Sequence, residues 1–252
     1  MIFRFLLLYL GSYVCGGIPF GVLFARRRGI DLMKVGSGNI GATNVRRALG
    51  GKTAMVVFCL DVGKAIVPCL VGRLIVTQPF DSIPAQVFWF AAGLAAVFGH
   101  CVSPFLGFKG GKGVSTALGM VIGSAPLVAT ASFSLFLVLL VSIRYMSLAS
   151  MIAVASATLF GWFFPGQARE LVPLYGLLTV FVVYRHRENI KRLMNGTERR
   201  FTFGKEPEEH SQTGELLVDK PVVGAGDDQT KQVVDNGSES KEPPSNEIKS
   251  LE

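Results

Sequence analysis

The sequence predicts an all-α, polytopic integral membrane protein with seven transmembrane helices, its N-terminus outside and its C-terminus cytoplasmic. Three observations predict it. Half of the 252 residues are hydrophobic and the mean hydropathy is +0.43, a composition unlike that of a single soluble core. Apolar runs near the roughly 20 residues that a helix needs to cross a bilayer recur up to residue 184. The charge is sharply divided: residues 1–204 carry 20 Lys+Arg against 6 Asp+Glu, whereas residues 205–252 carry 5 against 12. A basic membrane body with few carboxylates suits anionic partners, either phospholipid surfaces or phosphorylated substrates, and gives no indication of a nucleic-acid partner.

The first span covers roughly residues 3–25. Arg4 before "FLLLYL" resembles the start of a secretory signal, but the apolar run continues to Ala25 and closes on Arg26, Arg27 and Arg28, the pattern of a retained span. Spans at 54–77 and 84–106 follow. The apolar run 113–143 decides the topology, because its 31 residues would make a helix about 46 Å long at 1.5 Å per residue, well beyond a hydrocarbon core. "GSAP" (123–126) puts Gly and Pro where a turn can form, so two helices are expected, the first unusually short. Spans at 146–165 and 168–184 complete the set. The basic residues Arg26–Arg28, Lys34, Arg46, Arg47 and Lys52 place the first loop inside, and "QPFDSIPAQ", with no Lys or Arg, falls outside. A hairpin within 113–143 keeps Lys109, Lys112, Arg144 and "YRHRENIKR" on the inner face; one long helix would not.

Two domains are expected: residues 1–200 as the membrane body and 201–252 as an acidic tail. The segment 205–252 lacks aromatic residues and is rich in Glu, Asp, Ser, Gly and Pro, a composition that reads as a disordered cytoplasmic tail. The cysteines Cys15, Cys59, Cys69 and Cys101 lie in apolar stretches without a C-x-x-C pair, as small hydrophobes rather than a disulfide or metal framework. Asp61 and Lys64 sit one turn apart inside the second span, where charge is expensive, and are expected to pair.

The topology brings three polar segments to one face. "KVGSGNIGATNVRRALGG" (34–51) is dense in small polar groups. Ser37, Asn39, Thr43 and Asn44 can hydrogen-bond a polar ligand and Arg47 can clasp a phosphate, although helix capping and a turn would also use Ser, Thr and Asn. "GHCVSPFLGFKGGKG" (99–113) is not a nucleotide loop, since Leu106 stands where a Walker A motif needs its first Gly and Gly113 follows Lys112. Its Lys109, Gly110, Gly111, Lys112 and Gly113 suit phosphate, with backbone N–H groups and a following helix start as donors. The same residues also suit an interfacial turn with snorkelling lysines. In "YRHRENIKRLMNGTERR" (184–200), His186 and Asn189 share a helical face if the last helix continues, while Glu188 and Glu198 are expected to tie down the arginines. His100 lacks the H-x-x-x-x-D partner of the common histidine–aspartate acyltransferase signature, as Phe105 stands there, and is expected to support the loop's fold. The few scattered carboxylates argue against a metal site.

The segments "GSGNIGATNVRR", "GHCVSPFLGFKGGKG" and "RHRENIKRL", in that order, resemble the membrane acyl-phosphate:glycerol-3-phosphate acyltransferases, the PlsY family. "GGIPFGVLFARRRGIDL" and "LDVGKA" add to a resemblance that covers roughly residues 5–200. It implies a bacterial inner-membrane enzyme with a cytoplasm-facing site, moving a fatty acyl group from acyl phosphate to the 1-hydroxyl of glycerol 3-phosphate. By the same resemblance, Ser37, Arg47, His186 and Asn189 are the catalytic residues, and the glycines with Lys112 form the glycerol-phosphate loop. No cofactor is implied, because an acyl phosphate is already activated, and the chain is expected to act as a monomer among membrane lipids. An organic-phosphate transporter is the competing reading, but it would need polar groups leading to the outer face, and the polar density here is one-sided. The acidic tail has no counterpart in the family.

Overall fold

A computed structural model describes residues 2–80, 82–164 and 169–203. Among the described residues the chain forms ten α-helices: α1 (Ile2–Gly17), α2 (Phe20–Arg26), α3 (Ala42–Leu49), α4 (Gly51–Ile75), α5 (Ala85–Cys101), α6 (Val114–Ser124), α7 (Pro126–Ile143), α8 (Met146–Phe163), α9 (Val172–Arg185) and α10 (Arg187–Met194). The all-α expectation holds. Four segments, Phe3–Arg26, Gly51–Ile75, Pro126–Ile143 and Met146–Phe163, are long and apolar enough to cross a membrane, and α5 and α6 are shorter apolar helices. The expected tail, 205–252, lies outside the described residues.

Proline explains where the apolar runs break. The first span is interrupted at Ile18–Pro19, since Pro19 has no N–H for the helical ladder and its ring crowds the preceding turn. The run 113–143 divides at Ala125 (φ −150°, ψ 78°), with Pro126 in the first turn of α7; a residue before proline avoids the α conformation and proline suits a helix start. Val114, Leu118 and Val121 of α6 line one cavity with Ala129, Phe133 and Phe136 of α7. These partners lie at matching distances on either side of Ala125, so α7 returns along α6 as expected. The third span is shorter than expected: α5 ends at Cys101, and a 3-10 turn at Pro104–Leu106 begins the following loop.

Close helix approach rests on missing side chains, as is usual where lipid supplies little drive for association. A Cβ on Gly16 would lie 2.0 Å from the Ala96 oxygen, one on Gly99 2.0 Å from the Tyr13 oxygen, and one on Gly119 2.0 Å from the Val62 oxygen. These contacts draw α1 onto α5 and α6 onto α4. Phe90 and Tyr175, both buried, join α5 to α9 edge-to-face. Large apolar side chains such as Leu74, Leu159, Phe163 and Val180 cover the exterior, as a surface facing lipid requires. The four cysteines are free; Cys69 and Cys101 are buried, whereas Cys59 is exposed on α4 and Cys15 is partly so.

The expected Asp61–Lys64 pair forms and does more than neutralise itself. Lys64 Nζ donates to Asp61 Oδ1 at 2.7 Å, to His100 Nδ1 at 2.8 Å and to the Ile18 carbonyl at 3.0 Å. Its three protons thereby join α4, the end of α5 and the proline break, with the Lys64 and Asp61 side chains 2% exposed. Removing one partner of a buried pair strands the other charge, at a cost of about 3–5 kcal/mol. Lys64→Met is therefore expected to lower the thermal unfolding temperature in detergent sharply. The double variant Asp61→Leu/Lys64→Met should recover part of the loss, and unchanged melting of Lys64→Met would show that the cluster carries no such weight.

Candidate active site

The loop between α5 and α6 is built from its base upward. Ser103, fully buried, donates to the Gly17 carbonyl at 2.6 Å and caps the 3-10 turn by accepting from the Phe105 N–H at 3.2 Å. The Gly111 N–H donates to the His100 carbonyl at 3.0 Å. Gly111 also abuts the Nε2 edge of the His100 ring, where a Cβ would come within 2.0 Å of Nε2; no other residue type fits. His100 thus supports the loop, as expected. Gly113 adopts φ +83°, open to glycine, and serves as the N-cap of α6, so the loop feeds directly into a helix start.

Lys112 leaves this loop half-buried, and its Nζ donates to Asn189 Oδ1 at 2.5 Å. Asn189 Nδ2 in turn donates to Glu198 Oε1 at 2.7 Å. The same carboxylate accepts from Ser147 Oγ at 2.6 Å and from Arg192 Nε at 2.8 Å. Burial pushes the Lys112 ammonium down to about 8; Glu198 opposes that, while Arg192, Arg47 and Arg185 push it further down. Arg47 of the first polar segment thus acts on Lys112 through its charge. Burial also disfavours a charged Glu198, yet the bonds from Ser147, Asn189 and Arg192 outweigh it and hold the carboxyl below its usual range.

The last helix does not continue through the third segment, contrary to the assumption that paired His186 with Asn189. It breaks at His186 (φ −96°, ψ 7°) and α10 restarts at Arg187. Both residues are nonetheless buried, joined by the Asn189 N–H donating to the His186 carbonyl at 2.8 Å. His186 Nδ1 lies 2.8 Å from the Val182 carbonyl. A carbonyl can only accept, so Nδ1 carries the proton and a neutral ring offers Nε2 as an acceptor. Burial holds His186 down to about 4, against the pull of the Val182 bond, and the ring is neutral at pH 7.

In the first segment, Asn44 spends its amide within the loop: Oδ1 accepts from the Ser37 N–H at 2.9 Å, and Nδ2 donates to the Leu32 and Val35 carbonyls at 3.2 and 3.0 Å. Gly36, at φ +62°, makes room for it, since a Cβ there would lie 2.4 Å from Oδ1. Asn39 Oδ1 accepts from the Gly41 N–H at 2.9 Å just before α3. Ser37 is exposed, Thr43 is half-buried in the first turn of α3 and Lys109 is exposed on the loop. Arg46 donates to the Thr202 carbonyl and lies 4.1 Å over the Phe201 ring, while the Phe201 N–H donates to the Arg144 carbonyl at 2.6 Å. This strap ties α3 to the α7–α8 connection. Arg185, Ser147 and the full reach of Glu198 went unselected in the sequence. Arg185 and Glu198 lie inside a quoted polar segment, whereas Ser147 looks like any hydroxyl at the start of an apolar helix.

Comparison with known proteins bears on this arrangement. The profile of the glycerol-3-phosphate acyltransferase family matches residues 6–196. The chain belongs to that family. It is 46% identical to a glycerol-3-phosphate acyltransferase of Aquifex aeolicus over 196 residues, 78% of this chain and 98% of the relative. It is 44% identical to the one of Geobacter sulfurreducens over 194 residues, 75% and 94% of the two chains. A crystal structure of PlsY, an integral membrane glycerol 3-phosphate acyltransferase, in its glycerol 3-phosphate form is 40% identical with a TM-score of 0.72, covering 86% of this chain and all (100%) of that one. The lysophosphatidic acid form is similar at 41% and 0.71, covering 79% and 96%. Glu198 and the strap to Phe203 lie just beyond the stretch that the acyltransferase family profile matches.

Because the Glu198 pKa is depressed in the folded protein, the stability it lends is present above the ordinary carboxylate pKa of about 4.3. That stability is lost as pH falls through the folded value. Glu198→Ala is expected to cost about 1.5–3 kcal/mol at neutral pH, the range for hydrogen bonds to a charged group. Melting curves in detergent at pH 7 and pH 4 should show the difference shrinking at the lower pH, and an equal difference at both would contradict it.

Proposed function

We infer that this chain transfers a fatty acyl group from acyl phosphate to the 1-hydroxyl of glycerol 3-phosphate, releasing lysophosphatidic acid and inorganic phosphate. The carrying observation is the Lys112–Asn189 contact. It joins the glycine-rich loop to the third segment within the field of Arg47. Two anionic phosphates must approach each other during the transfer, and a site with four cations around one carboxylate lowers that cost. Arg47, Lys112 and the amides of Gly110 and Gly113 hold phosphate, with Lys109 at the rim, while Gly111, whose N–H is taken by the His100 carbonyl, shapes the loop. Ser37, Asn189 and His186 orient the hydroxyl and the acyl carbonyl, Asn39 and Asn44 shape the loop that presents Ser37, and Thr43 lies in the helix turn beside them.

The chemistry is one displacement at the acyl carbon. The glycerol hydroxyl oxygen forms a bond to that carbon, the bond from carbon to phosphate oxygen breaks, and phosphate leaves with the electron pair. Phosphate is a good leaving group, so positioning and charge neutralisation suffice without an acyl-enzyme. His186 Nε2 accepts the hydroxyl hydrogen bond and fixes its direction. With its pKa held to about 4, the ring retains a proton poorly, and a phosphate oxygen of the substrate takes it instead. In this reading seven helices cross a bacterial inner membrane, with the N-terminus outside, the site facing the cytoplasm and the C-terminus following it. One chain supplies all three segments, so a monomer suffices, surrounded by membrane lipids.

Purified protein in lipid, given acyl phosphate and glycerol 3-phosphate, should produce lysophosphatidic acid and phosphate in equal amounts; no product would sink the reading. The pH profile gives a second check. Lys112 is a cation below about 8 and neutral above it, so kcat/KM for glycerol 3-phosphate should fall as pH rises through that value. Lys112→Arg, which stays charged, should abolish the alkaline fall even if the rate drops.

A further inference from the structure

The loop's carbonyls converge on one cation that the mechanism above counts only for its charge. Arg185 Nη2 lies 2.7 Å from the Gly111 carbonyl, 3.1 Å from that of Gly110 and 3.3 Å from that of Cys101, and Nε lies 3.2 Å from the Gly111 carbonyl. Three carbonyl dipoles aimed at one point repel each other, and a guanidinium at that point offsets the repulsion with donors in a fixed planar fork. The consequence follows from peptide geometry. A trans peptide sets its N–H opposite its C=O, and among the described residues there is no cis bond. With the Gly110 carbonyl on Arg185, the Gly111 N–H turns the other way and meets the His100 carbonyl. With the Gly111 carbonyl on Arg185, the Lys112 N–H also faces away from the guanidinium, on the opposite side of the loop.

We propose that Arg185 is a positioning residue: by gathering the carbonyls of Cys101, Gly110 and Gly111 behind the loop, it sends the Gly111 N–H to His100 and turns Lys112, with its own N–H, toward the phosphate of glycerol 3-phosphate. The inference rests on the acyltransferase reading for its substrate. Arg185 acts through the loop and not on the reacting atoms, and a lysine cannot replace it, because an ammonium lacks the fork that spans adjacent carbonyls. Its charge has a second effect. The groups that act on Lys112 are Glu198, which favours its proton, and Arg192 of α10, Arg47 of α3 and Arg185 at the end of α9, which disfavour it.

Two variants separate fork from charge, both assayed as full-length protein in lipid. Arg185→Lys keeps the charge, so the alkaline fall in activity should stay near its wild-type position. Its KM for glycerol 3-phosphate should rise by about tenfold, the loss of one or two net hydrogen bonds, while kcat and the KM for acyl phosphate hold. Arg185→Gln loses the charge, so the same KM should rise and the alkaline fall should move to higher pH as Lys112 holds its proton longer. Hydrogen exchange reads the loop without any substrate: Gly111 and Lys112 amides should exchange faster in Arg185→Lys while the helix interiors keep their protection. A wild-type KM in Arg185→Lys would overturn the proposal. So would unchanged exchange at Gly111 and Lys112, or a fall in kcat alone with the pH limb of Arg185→Gln unmoved. If both variants lose the folded state on gel filtration, Arg185 is a general folding residue and the proposal equally fails. A wild-type protein that made no lysophosphatidic acid would remove the substrate assignment alone, leaving the exchange result to judge the loop.

Discussion

One buried ammonium organises the end of the molecule that carries the glycine-rich loop. Lys64 has three protons and spends them on Asp61, on the His100 ring and on the Ile18 carbonyl. Each acceptor belongs to a different stretch of chain, and each has a further duty. Ile18 marks the break that Pro19 imposes on the first span. His100 provides both the carbonyl that receives the Gly111 N–H and the ring edge that Gly111 abuts. A charge this deep is tolerated only when every proton is used. That demand makes the cluster a geometric constraint, because no partner can shift without stranding the cation.

The glycine-rich loop is held between two such cations, and they treat it differently. Lys64 works from beneath through His100, whereas Arg185 gathers carbonyls along the side of the loop. Lys112 is the third cation, directed away from the helices toward Asn189. The loop therefore owes its shape to side chains from α4 and α9, and its own glycines contribute mainly by leaving room. The network around Glu198 completes the opposite wall. Its carboxylate fixes which end of the Asn189 amide faces Lys112, since only the nitrogen can donate to Glu198.

Much of this was legible in the sequence, and the exceptions share a cause. Four of the apolar spans, the turn at "GSAP", the Asp61–Lys64 pair, the supporting role of His100 and the helix start after Gly113 all rest on composition or neighbours close in the chain. The family resemblance, carried by three quoted segments, is matched by the family profile across residues 6–196. The break at Ile18–Pro19 was passed over because the apolar run continued through it, and hydropathy does not register a lost N–H. In the third segment His186 and Asn189 share a helical face only if the helix continues, and instead His186 ends one helix and the next begins at Arg187. Arg185 and Ser147 carry no signal in the sequence because their partners, the Gly111 carbonyl and the Glu198 carboxylate, lie 74 and 51 residues away, and so distant a contact leaves no periodicity to read.

The brevity of α6 has a consequence for the depth of its two ends. An 11-residue helix rises about 16 Å, roughly half of a hydrocarbon slab. A helix of that length cannot carry its first residue to the headgroup plane on one side while reaching the plane on the other. Set along the bilayer normal, α6 therefore leaves one of its ends, the glycine-rich loop or the turn at Ala125, within the slab. Where that end is the loop, the partial positive charge of the helix start and the surrounding cations act with little screening.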